Sequence, residues 1–62
     1  MGEYDAQIAN AKRALSEAEA ELTEAKIQMA DSPANVRDFV LGNIQEIKTE
    51  SRWMIETYES AN

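Results

Sequence analysis

The sequence predicts an all-α protein: an antiparallel two-helix hairpin with an alanine-rich heptad seam, expected to dimerise into a four-helix bundle. Three observations predict it. Apolar residues recur from Tyr4 to Met29 in steps that alternate four and three. The one proline, Pro33, lies near the middle of the 62 residues, directly after Asp31 and Ser32. A second amphipathic stretch then runs from Val36 to Tyr58.

The first helix is expected over about residues 3–30. Its seam is Tyr4, Ile8, Ala11, Leu15, Ala18, Leu22, Ala25 and Met29, a heptad repeat of the kind that faces a partner helix. Large residues (Ile8, Leu15, Leu22, Met29) alternate with alanines (Ala11, Ala18, Ala25), which lets the facing helix come close. Ala, Glu, Lys and Leu dominate the segment, and these residues lose little on entering a helix. No glycine or proline interrupts residues 3–32. Glu3 and Asp5 suit the positive N-terminal end. Glu17, Glu21 and Glu24 fall off the seam and form an acidic outer face.

The turn is expected at residues 31–33. Proline disfavours helical geometry at the residue before it and suits the first turn of a new helix. Ser32 then reads as the N-cap, with Pro33 as first helical residue. So short a link makes the two helices antiparallel neighbours.

The second helix is expected over about residues 33–60. Val36, Val40, Ile44, Ile47, Ser51, Ile55 and Tyr58 step by four, four and three, and then repeat. Such an eleven-residue pattern winds differently from a heptad. Met54 widens this stripe, so Val36, Val40, Ile44, Ile47, Met54 and Tyr58 are expected to complete the hairpin core. Folding at the turn sets Met29 near Val36, Leu22 near Ile44, Ala18 near Ile47, Ile8 near Tyr58 and Tyr4 near Ala61. Ser51 is expected to bond back to the Ile47 carbonyl, as buried helical serines do. Lys48 and Arg52 are expected to pair with Glu17 or Glu21 across the hairpin. Gly42 costs about 1 kcal/mol relative to alanine, which marks either a close approach or simple tolerance.

Size makes a partner expected. Residues 1–62 read as a single hairpin, and a chain so short seldom buries enough apolar surface alone. There is no cysteine to form a disulfide and no histidine to hold a metal. Self-association is the staple that remains. Ile27, Phe39, Leu41 and Trp53 lie off the expected stripes and are the candidate oligomer or partner contacts. Trp53 stands out, because tryptophan anchors interfaces with a large area at little entropy cost.

The same composition narrows function. Twelve acids against six bases give a net charge of −6, which disfavours direct binding to nucleic acid or to an anionic membrane. No apolar run approaches the roughly 20 residues needed to span a bilayer, and the first residues lack the pattern of a secretory signal. A cytoplasmic protein is expected, or one in a host cytoplasm if virus-encoded. Without His, Cys or a glycine-rich phosphate loop, no catalytic, cofactor or metal site is expected.

The plan resembles the plasmid-encoded repressor-of-primer family in shape and in its alternation of small and large core layers. That resemblance implies a dimeric bundle. The RNA binding of that family is not carried over, because the outward face of the first helix here is acidic. The expected function is therefore a non-enzymatic, self-associating protein–protein interaction module: a small adaptor, assembly factor or regulator. The alternative is an acidic inhibitor of phage or plasmid type, whose carboxylates at Glu17, Glu21 and Glu24 occupy a nucleic-acid site on a host protein.

Overall fold

A computed structural model describes residues 2–62; Met1, counted above within the single hairpin, lies outside them. The chain forms two helices, α1 (Asp5–Gln28) and α2 (Ala34–Ala61), packed against each other as an all-α hairpin. At the standard rise they are about 36 Å and 42 Å long. The molecule is a rod one helix thick, with extents of 47 × 15 × 10 Å. Its radius of gyration is 14.3 Å, against about 11 Å for a compact chain of this length.

Both helices are shorter at the turn than expected. α1 stops at Gln28, where Met29 takes φ −100° and ψ 13° and its N–H donates to the Ala25 carbonyl. Lys26 stands in that last turn, favourably placed at the negative end. The Ser32 N–H then donates to the Met29 carbonyl over 3.1 Å. No described residue needs a left-handed backbone to reverse the chain.

The cap of α2 sits one residue later than the sequence suggests. Pro33 precedes the helix, at φ −56° and ψ 143°, and its carbonyl accepts from the Val36 and Arg37 N–H groups at 3.1 and 3.0 Å. The ring fixes φ, but a ψ near 143° is extended, so Pro33 enters the helix only through its carbonyl. Ser32 is thereby pushed out of cap position, and no side chain caps the helix.

The open end of the hairpin is tied by a small polar knot. Asn62 accepts from the Tyr4 N–H at 3.0 Å through its side-chain oxygen and donates to the Asp5 carboxylate at 3.1 Å. Asp5 also accepts from the Gly2 N–H at 3.1 Å. A methyl group on Gly2 would collide with the Asn62 side chain, so the lack of a side chain there is what allows this approach. The Tyr4 ring lies on that of Tyr58, centroids 5.0 Å apart. Tyr4 thus meets Tyr58 and Asn62 rather than Ala61 alone, which fixes the register within about one turn.

Gly42 shows the opposite case. Nothing lies within 4 Å of where its Cβ would be, so no neighbour in this chain requires a glycine. Gly42→Ala is expected to raise the unfolding free energy by about 1 kcal/mol through helix propensity, read as a higher urea midpoint with an unchanged slope.

Candidate functional site

The hairpin interior is thin. Among the described residues Ile8, Ala11 and Ala18 are the buried apolar ones, and Ser51 is the buried polar one. Leu15, Leu22, Ala25 and Met29 of the α1 seam are half-buried, as are Val40, Ile44 and Tyr58 of α2. Helix α1 therefore covers the side its heptad marks.

Helix α2 does not follow the eleven-residue stripe. Its half-buried or buried positions are Arg37, Leu41, Ile44, Lys48, Ser51, Ile55 and Tyr58, with Val40 beside them. These step by four and three, so α2 is a heptad helix like its partner. Two helices that wind around each other must share one period, because a heptad column and an eleven-residue column drift apart along the rod. The common period wins although it brings Arg37 and Lys48 to the seam, where their alkyl stems cover apolar surface and their charges reach water.

Three residues expected in the core are consequently outside it. Val36 is 43%, Ile47 47% and Met54 37% exposed. Leu41, expected as a partner contact, is instead half-buried at the seam. Ser51 does not bond back to Ile47; among the described residues that back-bond is made by Thr23 to Glu19 and by Thr49 to Gln45. The pairing of Lys48 or Arg52 with Glu17 or Glu21 is also not formed. Among the described residues the ion pairs are Lys12–Glu59 at 3.5 Å and Arg37–Asp38 at 3.7 Å. Lys12–Glu59 is exposed and worth about 0–1 kcal/mol. It nevertheless identifies one flank of the rod.

That pair allows the two flat sides to be told apart. At about 100° per residue, Lys12 lies clockwise of the α1 seam when viewed from the N-terminus of α1. Glu59 lies clockwise of the α2 seam, viewed likewise from its own start. In antiparallel helices, positions displaced in the same sense share one flank. The clockwise flank is thus polar, carrying Lys12, Glu19 and Lys26 from α1 with Arg52 and Glu59 from α2. The other flank carries Val40, Ile47 and Met54 at strict seven-residue intervals on α2. Beside them α1 presents the heptad column Gln7, Ala14, Glu21 and Gln28, of which Ala14 is half-buried and the other three are exposed.

Phe39 and Trp53 belong to neither flank. Both point directly away from α1, 71% and 64% exposed, and Ile27 is 68% exposed on the back of α1. Trp53 stands among Thr49, Glu50, Glu56 and Thr57, without a large apolar neighbour on its helix face. Its emission in the free hairpin is expected at the red, water-exposed limit, with full access to iodide. A blue-shifted, protected spectrum means that another chain covers it.

Glu17, Glu21 and Glu24 are all exposed. Glu24 accepts from the Gln28 side-chain amide at 2.8 Å, and none of the three takes part in an ion pair among the described residues. The described residues enclose no pocket, and no group of three His, Cys, Asp or Glu side chains converges as a metal site would require. No described helix is long and apolar enough to cross a membrane.

Fold and packing together define an all-α helical-hairpin protein. No protein-family profile, curated protein or solved structure matches the chain.

Proposed function

We propose that this chain is a non-enzymatic helical interaction module that associates with itself and acts through protein–protein contact, as an adaptor, assembly factor or regulator. One observation carries the reading. Among the described residues, six large apolar ones (Ile27, Val36, Phe39, Ile47, Trp53 and Met54) are exposed, while the fully buried apolar ones are Ile8, Ala11 and Ala18. A small folded domain that leaves this many large apolar side chains exposed is arranged to be covered. Small domains without disulfides or metals obtain their missing core from a second chain.

Solution mass tests the reading. Sedimentation equilibrium across micromolar concentrations is expected to give a dimer, with helicity that falls on dilution. A helical monomer at about 100 µM, roughly a hundredfold above a micromolar dissociation constant, removes the self-association.

The exposed acids favour a second reading, an inhibitor that presents carboxylates to a basic nucleic-acid site. Glu17 and Glu24 lie toward the back of α1 and Glu21 on its flank, all three exposed and with no cation paired to them among the described residues. Under this reading, capture of a partner is lost on reversing those three charges and at moderate salt. Under the first reading, Trp53→Ala abolishes capture and salt does little.

A further inference from the structure

We infer that Asn62 is a latch: it sets which column of α2 lies against α1, and so whether the Val40–Ile47–Met54 row is displayed. The latch acts within one chain and does not depend on self-association. Helix α2 and its cap contain two heptads that share Ile44, Ser51 and Tyr58. One adds Leu41, Lys48, Ile55 and Asn62, and the other adds Val40, Ile47, Met54 and Ala61. At about 100° per residue, the two added columns lie on either side of the shared one. A roll of α2 by about 50° around its own axis therefore exchanges one for the other, with Tyr58 kept on the seam.

The period that the two helices must share admits both heptads, so it does not choose between them. Apolar burial points to the second, in which every added residue is apolar. The first has a lysine at its middle and an asparagine at its end. Yet the first is the one enclosed. Leu41, Lys48 and Ile55 are half-buried, while Ile47 is 47% and Met54 37% exposed. A force other than apolar burial holds α2 in this roll.

Asn62 supplies it. This residue continues the enclosed column seven positions after Ile55. Its side chain accepts from the Tyr4 N–H at 3.0 Å and donates to the Asp5 carboxylate at 3.1 Å. The Tyr4 N–H is among the donors that the start of α1 leaves without a helical partner. A carboxylate acceptor makes the second bond one of the stronger kind. In the other roll the place of Asn62 falls to Ala61, whose side chain has no polar atom, and both bonds are lost. The Lys12–Glu59 pair lies on the same side of the seam and is lost with them, but so exposed a pair contributes little. The knot at the open end thus keeps Ile47 and Met54 outside, and releasing it turns them against α1.

Nuclear Overhauser effects from the Ala18 methyl group test this. Carbon-13-labelled chains diluted into an excess of unlabelled ones report contacts within a single chain. Counted from the Tyr4–Asn62 contact, Ala18 is level with Ile47 and Lys48, about 21 Å from Asn62, where fraying of the open end does not reach. In the wild type its effect to the Lys48 side chain is expected to exceed that to Ile47. In Asn62→Ala the order is expected to reverse. Ala61→Asn/Asn62→Ala, which moves the asparagine to the other column, is expected to reverse it too. A double variant in which Lys48 stays the stronger overturns the latch, as does a wild type in which Ile47 already is. Asn62→Ala with the wild-type order overturns it as well, because the knot then closes the open end without governing the roll. If Asn62→Ala loses its helix, the double variant decides alone. Each of these results leaves the test of self-association by solution mass unaffected.

Discussion

Replacing Ala18 by Leu is expected to lower the unfolding free energy by about 1–3 kcal/mol, the usual cost of forcing extra methylenes into a filled site. Ala18 is 2% exposed, the most enclosed of the named core residues. It sits where α1 and α2 approach with only a methyl group between one backbone and the facing side chains. Leucine must either leave its preferred rotamer or push the helices apart, and separation weakens the contacts above and below it as well. Small single cores rarely supply more than about 3–5 kcal/mol, so a loss of this size unfolds a visible fraction at room temperature. Urea melts followed by far-ultraviolet dichroism check it. The same change at Ala20, which is exposed, is expected to stay within about 0.5 kcal/mol of wild type. A neutral Ala18→Leu means that the helices are not in close contact at this level.

Ile8→Ala is expected to cost about 2–5 kcal/mol, the range for truncating a buried isoleucine. Ile8 is 9% exposed and is the one large side chain in the buried set. It lies one turn from Tyr4, whose ring rests on Tyr58 and whose N–H bonds Asn62. Losing Ile8 removes the apolar floor beneath this polar knot, so the open end should fray before the turn end. Hydrogen exchange locates the effect: protection falls first in the opening turns of α1 and the closing turns of α2. Ile27→Ala removes the same group from a residue 68% exposed and is expected to fall within about 0.5 kcal/mol of neutral. Equal losses at Ile8 and Ile27 are incompatible with the burial described.

Helix α1 was readable because its pattern has one interpretation. Every core position from Ile8 to Met29 is apolar, and Ala11, Ala18 and Ala25 fall in a single column. Helix α2 was not readable in the same way. Its covered face includes Arg37 and Lys48, which a search for apolar periodicity passes over. Val36, Ile47 and Met54 then drew the stripe toward the flank. A heptad running 37, 41, 44, 48, 51, 55 and 58 is present in the sequence. It emerges only if cationic side chains are counted by their stems and if α2 is required to share the period of α1.

The candidate surface has the same history. Phe39, Trp53 and Ile27 are exposed off the seams, where their spacing alone puts them. Leu41 falls among them only when the apolar stripe is centred about one column too far round; in the hairpin it is half-buried at the seam. Nothing in one helix read by itself corrects that displacement.

Local chemistry thus determined that both halves are helices, that the chain reverses before Pro33, and that α1 turns Ala11, Ala18 and Ala25 inward. Those features depend on propensity, proline geometry and a repeat contained within one segment. Which column of α2 would be covered was decided only when the two rods packed. Burial along a seam follows the shared winding of the pair, and a lysine stem on that path is enclosed while an isoleucine off it stays in water.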